Sequence, residues 1–174
     1  MKQYSKRMVI AHWLTLGLLV LAWYLGDSLS DSTDESRATL LGYVVHATAG
    51  IALLLLIAMR LFFRGKDGTP PATGNAVMDR VAHGVHHTLY LLLLLVPITG
   101  ILTVLRSSVA KALLAGDASM LPKAHGFHGL LVHKLHGTLV NVLIAVVVLH
   151  VLAALKHQFI DKDGLLERMM LRRK

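Results

Sequence analysis

Histidine carries most of the chemical capacity in this sequence: there are eleven among 174 residues, and there is no cysteine. Without thiols, disulfides, iron–sulfur ligation and C-x-x-C-H attachment of a cofactor are excluded, which leaves imidazole as the borderline-soft ligand. Two of the histidines, His136 and His150, lie in the apolar stretch KLHGTLVNVLIAVVVLHVLAALK, Lys134 to Lys156, which has no charge inside it. An ionisable side chain at membrane depth is costly and faces the interior of a bundle, so each is a candidate functional group. Fourteen residues at ~100° each come to roughly 1400°, about 40° short of four turns, so both imidazoles share one helix face. At ~1.5 Å per residue they stand ~21 Å apart, most of a ~30 Å hydrocarbon core. One helix therefore offers a ligand near each side of a membrane.

The elements that must position these ligands are legible as apolar runs. The chain is 55% hydrophobic and only 16% charged, too apolar for an ordinary soluble domain. Four runs predict an all-α membrane protein, one domain over residues 1–174, with spanning helices at about 8–26, 40–63, 83–105 and 134–157. The first run follows Lys2, Lys6 and Arg7; it is longer than a signal-peptide core and no A-x-A-like site follows, so it is expected to stay in place. Trp23 and Tyr24 suit its far interface, and Arg60 and Arg64 mark the exit of the second helix. Pro70 and Pro71 forbid helix between the second and third runs, while Pro97 should kink the third and free a carbonyl one turn back. No internal repeat, phosphate-cradling glycine loop or nucleic-acid motif is visible.

Of the 18 Lys and Arg residues, 13 fall in the N-terminal segment, the second loop and the C-terminal tail. That bias predicts both termini in the cytoplasm. Depth then follows, and the histidines pair: His12 with His150 near the cytoplasmic side, His46 with His136 near the outer side. Two imidazoles from facing helices can clamp a planar metal macrocycle edge-on in a bundle. Such ligation leaves no open position on the metal, which favours electron transfer over oxygen binding. Gly17, Gly50 and Gly137 lie near these ligands and would admit either a cofactor face or a neighbouring helix. His83, His86 and His87 cluster at the start of the third helix, as a further ligand group or an interfacial cluster. His157, two turns beyond His150, is a candidate proton donor to a quinone or a snorkelling interfacial side chain. In the third loop Arg106, Lys111, Lys123 and Lys134 oppose only Asp117. These cations are either simply solvated or a collector for a small anion.

Several ordered motifs resemble the bacterial cytochrome b561 family. They are H-W at His12–Trp13, H-x-x-x-G at His46–Gly50, and Y-x-x-x-x-x-x-P-x-x-G at Tyr90–Pro97–Gly100. H-G-T-L-x-N…L-H at His136–Asn141 and Leu149–His150 follows, then K-D-G-L-L-E-R-M-M at Lys162–Met170. The resemblance covers essentially the whole chain. It implies a four-helix bundle of the bacterial inner membrane enclosing two b-type haems. His12 and His150 match the ligands of the cytoplasmic-side haem, and His46 and His136 those of the outer, periplasmic-side haem. Some members are superoxide:ubiquinone oxidoreductases, so superoxide and ubiquinone are the expected small partners, with the lipid bilayer around them. Two other readings stay open on the residues alone. One is a cytochrome b subunit exchanging electrons between quinol and a partner protein docked on the basic loop. The other is a metal permease, which the absence of Asp, Glu and Cys from the spans argues against.

Overall fold

The computed structural model describes residues 3–30, 40–70, 76–122, 127 and 130–171. Among these, every regular element is helical. Helix α1 spans Lys6–Ser30, α2 Leu40–Asp67, α3 Ala76–Arg106, α4 Val109–Ala115 and α5 Leu131–Lys156. A π-helical turn, His157–Asp161, extends α5, and a 3₁₀ turn follows at Leu165–Met169. Four helices are long and apolar enough to cross a membrane: α1, α2, α3, and α5 with its π turn. The apolar runs mark their centres; polar residues lengthen α1 and α2 by about one turn at their C-terminal ends and α3 by about two turns at its N-terminal end. Helix α3 starts seven residues before the expected position and continues through Pro97 without a break.

The helices pack as two antiparallel hairpins, α1 on α2 and α3 on α5, joined where α2 meets α3. The segments around Tyr4 and Arg168 meet at one face of the bundle, here the terminal face. The Tyr4 amide donates to the Arg168 carbonyl at 3.2 Å and Gln3 Nε2 to the Glu167 carbonyl at 2.9 Å. Arg7 pairs with Asp67 and stacks over Phe63, tying the start of α1 to the end of α2. The opposite, loop face carries α4, an element the sequence reading placed in a loop. Its Val109 and Ala112 are fully buried, and its Gly116 cap takes the left-handed conformation at φ 66°.

The core follows a seven-residue rule. Two turns of helix return a side chain to nearly the same face, with the ~20° drift that a left-handed bundle absorbs. Seven-residue steps from each inward-facing residue give His12, Leu19 and Gly26 on α1, and His46, Leu53 and Arg60 on α2. The same steps give His86, Leu93 and Gly100 on α3, and His136, Leu143 and His150 on α5. Because neighbours run antiparallel, these twelve residues stack as three layers of four. The middle layer is leucine throughout, and all four leucines belong to one buried cluster with Ala22, Ala49, Ile57 and Leu92. A histidine-containing layer lies on each side of it.

Candidate functional site

The loop-side layer holds His46, His136, Gly26 and Gly100. The imidazoles of His46 and His136 face each other with ring centres 6.3 Å apart and planes at 87°. Nδ1 of His46 donates to the Ala22 carbonyl at 2.9 Å, and Nδ1 of His136 donates to the Val96 carbonyl at the same distance. A carbonyl can only accept, so each Nδ1 carries the proton and each Nε2 keeps a lone pair, the arrangement of a metal-binding histidine. Thr99 Oγ1 stands 3.2 Å from the same His136 nitrogen. The carbonyl that His136 uses is that of Val96, not the one at Leu93 that Pro97 leaves without its helical donor.

Gly26 and Gly100 make these contacts possible. Each lies four residues after the carbonyl that the ring takes, so its side chain would stand over that carbonyl. A Cβ on Gly26 would lie 2.9 Å from His46 Cε1, and one on Gly100 would lie 3.1 Å from His136 Cε1. The sequence reading named Gly17, Gly50 and Gly137 instead. A Cβ at any of those three would meet nothing within 4 Å, and Gly50 and Gly137 face a cavity of about 1250 Å³ that also receives His46, His136 and Val140. That volume exceeds the ~300–1,000 Å³ of a usual ligand pocket.

The terminal-side layer holds His12, Arg60, His86 and His150. His12 and His150 have ring centres 6.4 Å apart at 68°, and His86 lies 5.6 Å from His150. The histidine cluster of α3 thus divides: His86 turns inward, while His83 and His87 are exposed and His87 Nδ1 donates to the His83 carbonyl at 2.7 Å. Arg60, expected at a helix exit, is instead buried, with 9% of its surface exposed. Its Nη2 donates to His12 Nδ1 at 3.2 Å, which reverses the polarity found at the loop-side pair.

Both pairs suit a bridging metal. Two nitrogens each ~2.0–2.1 Å from one metal, in rings whose centres lie ~1.1 Å further on, allow ring centres up to about 6.4 Å apart. With free Nε2 atoms and glycine-lined space beside them, the loop-side residues fit a planar macrocycle; on the terminal side the ring separation matches, while Arg60 holds Nδ1 of His12.

A family model described as prokaryotic cytochrome b561 matches residues 3–171. The chain belongs to that family. This cytochrome is 32% identical over 174 residues to a probable superoxide oxidase of Yersinia pestis, covering 97% of this chain and 96% of the relative. It is 30% identical over 171 residues to cytochrome b562 of Cereibacter sphaeroides, covering 96% and 94%. With cytochrome b561 homolog 1 of Escherichia coli it shares 30% over 177 residues and the full length of both. Membership establishes an electron-transfer cytochrome of the b type, for which haem b is the cofactor.

The cationic residues of the third loop are spread unevenly in the cytochrome. Lys134 and His133 line the mouth of the loop-side cavity with Tyr43 and Asp27, and His133 stacks on Phe127 with ring centres 4.5 Å apart. Arg106 and Lys111 are exposed but do not line it, since Lys111 sits on the outer face of α4. Lys123 lies outside the described residues. Asp117 caps the 3₁₀ turn after α4: the Ser119 hydroxyl and amide hold its carboxyl below the usual carboxylate range.

At the terminal face His157 Nδ1 donates to Asp163 at 2.6 Å, and Asp161 lies 3.3 Å away and is paired with Lys156. Burial pushes the Asp163 carboxyl up, but the Leu165 amide and the His157 ring outweigh it and hold it below its ordinary value. Beside His12, Trp13 Nε1 donates to the Met169 carbonyl at 2.9 Å. Trp13, Met169, Met170 and Leu171 line an open apolar groove of about 460 Å³.

Proposed function

We propose that this cytochrome oxidises superoxide at its loop face and reduces ubiquinone at its terminal face, with two haem b groups in the layers between. His46 and His136 hold one and His12 and His150 the other. The excess of Lys and Arg at the terminal face supports a cytoplasmic terminal face and a periplasmic loop face in a bacterial inner membrane. The observation that carries this reading is the matched pair of facing imidazoles on either side of a leucine layer, one pair opening into a cavity that Lys134 lines. When bound, haem b would supply reversible one-electron exchange.

The protein's own groups do the rest. The Ala22 and Val96 carbonyls fix the tautomer and orientation of His46 and His136. Lys134 draws a small anion to the cavity mouth, while Arg106, Lys111 and Lys123 widen the positive field. The groove beside Trp13 offers an apolar seat for a quinone ring at the cytoplasmic end. His157, its Nδ1 proton committed to Asp163, exchanges a proton through Nε2. Two superoxide anions each lose one electron and leave as oxygen, and one ubiquinone takes two electrons and two protons to become quinol.

The test is anaerobic addition of superoxide to the purified, haem-loaded protein with a short-chain ubiquinone. One quinol formed per two superoxide consumed is the expected result. Superoxide decay at the spontaneous rate with no quinol contradicts it, and would return the chain to electron exchange between quinol and a partner protein.

A further inference from the structure

Arg60 occupies a corner of the terminal-side layer, where the loop-side layer has a glycine or a histidine. It is nine-tenths buried, and its Nε is a buried donor with no hydrogen-bond partner. It meets His12 Nδ1, taken by Nη2 at 3.2 Å, and Tyr90, whose hydroxyl interacts with it and whose ring lies 5.4 Å from the guanidinium carbon. A guanidinium has five N–H donors, cannot be neutralised by losing a proton, and is costly to bury without a counter-charge. No carboxylate stands among the groups that act on it, and Asp67, Asp161 and Asp163 pair with Arg7, Lys156 and His157. Among the described residues nothing supplies this corner with a counter-charge.

We propose that Arg60 clamps a carboxylate of the macrocycle that His12 and His150 hold. This rests on the reading of those two residues as haem ligands. Haem b carries two carboxylate side chains, and Arg60 presents the planar fork that matches a carboxylate. The clamp has a second consequence inside the layer. An Arg60 engaged with a carboxylate no longer needs His12 Nδ1 as acceptor, so His12 can carry its proton on Nδ1 and offer Nε2, as His46 and His136 do. Arg60 is thus a positioning residue for His12 as well as an anchor. A phospholipid phosphate offers similar chemistry, so the test separates the two sources.

The experiment measures haem release to apomyoglobin from wild type, R60Q and R60K. Each is loaded with haem or with haem dimethyl ester, in maltoside micelles free of phospholipid. R60Q should speed release from one of the two sites about tenfold with haem, the worth of a charge-assisted bond. It should leave ester release at the wild-type rate and the second site unchanged. R60K, which keeps the charge without the fork, should fall between, and it guards against a glutamine variant that does not assemble. Equal acceleration with haem and ester, or none with either, overturns the clamp. So does an effect that appears only when phospholipid is added. A wild-type protein that binds no haem at His12 and His150 fails the underlying reading instead.

Discussion

His136 lies against Gly100, close enough that a single methyl group there would stand 3.1 Å from its ring, and it reaches past that glycine to the Val96 carbonyl. His46 does the same on the other hairpin, past Gly26 to Ala22. The loop-side pair is therefore built twice over by one device: a histidine of one helix, a carbonyl of its hairpin partner, and a glycine one turn further on.

Gly26→Ala and Gly100→Ala should both weaken the loop-side site, Gly26 more, because its contact is the closer. Overpacking of this kind costs about 1–3 kcal/mol when the neighbour cannot move, and the rings are held by their carbonyls. Haem content after purification should fall towards one per chain in Gly26→Ala. Gly137→Leu should cause the same loss by filling the cavity, since nothing in the protein stands within 4 Å of its Cβ position. Gly65→Ala, also with open space around it, should leave haem content unchanged. Equal haem content in all four variants would refute the slot and cradle assignments.

Lys134→Glu should slow superoxide consumption several-fold at low ionic strength, and Lys111→Glu much less, because only Lys134 lines the cavity mouth. The difference should vanish near 1 M salt, where the Debye length is ~3 Å. Stopped-flow rates over a salt series check this; parallel salt dependence in both variants would deny Lys134 its special place.

The His157–Asp163 contact should loosen only in acid. Asp163 titrates below its ordinary range in the folded chain, so its contribution is present above its unfolded value of ~3.9 and is lost as pH falls through the lower folded value. Asp163→Asn should free the segment after α5 already at neutral pH. Hydrogen exchange of residues 157–171 should then be faster than in the parent at pH 7 and closer to it in acid. Unchanged exchange at pH 7 would show that the pair does not hold this segment.

The spans and the pairing of His12 with His150 and His46 with His136 were legible because both follow from helical arithmetic on single helices. The corners opposite them were not, since Gly26, Gly100, Arg60 and His86 acquire their roles from neighbouring helices. A signal was present all the same: stepping seven residues from each paired histidine lands on leucine and then on the position in the other histidine layer. Arg60 looked like a boundary residue because helix ends attract cations, and only packing reveals that α2 runs one turn further. Helix α4 was missed because seven residues carry too short a pattern to stand out from a loop.

The central claim is that four histidines hold two haems in two separate couples. Haem per chain in the wild type, His136→Ala and His150→Ala, read with reduced-minus-oxidised spectra, tests it most directly. The account predicts two haems in the parent and one in each variant, with the two variants retaining spectrally different α-bands. A parent with one haem, or either variant keeping two, would contradict it.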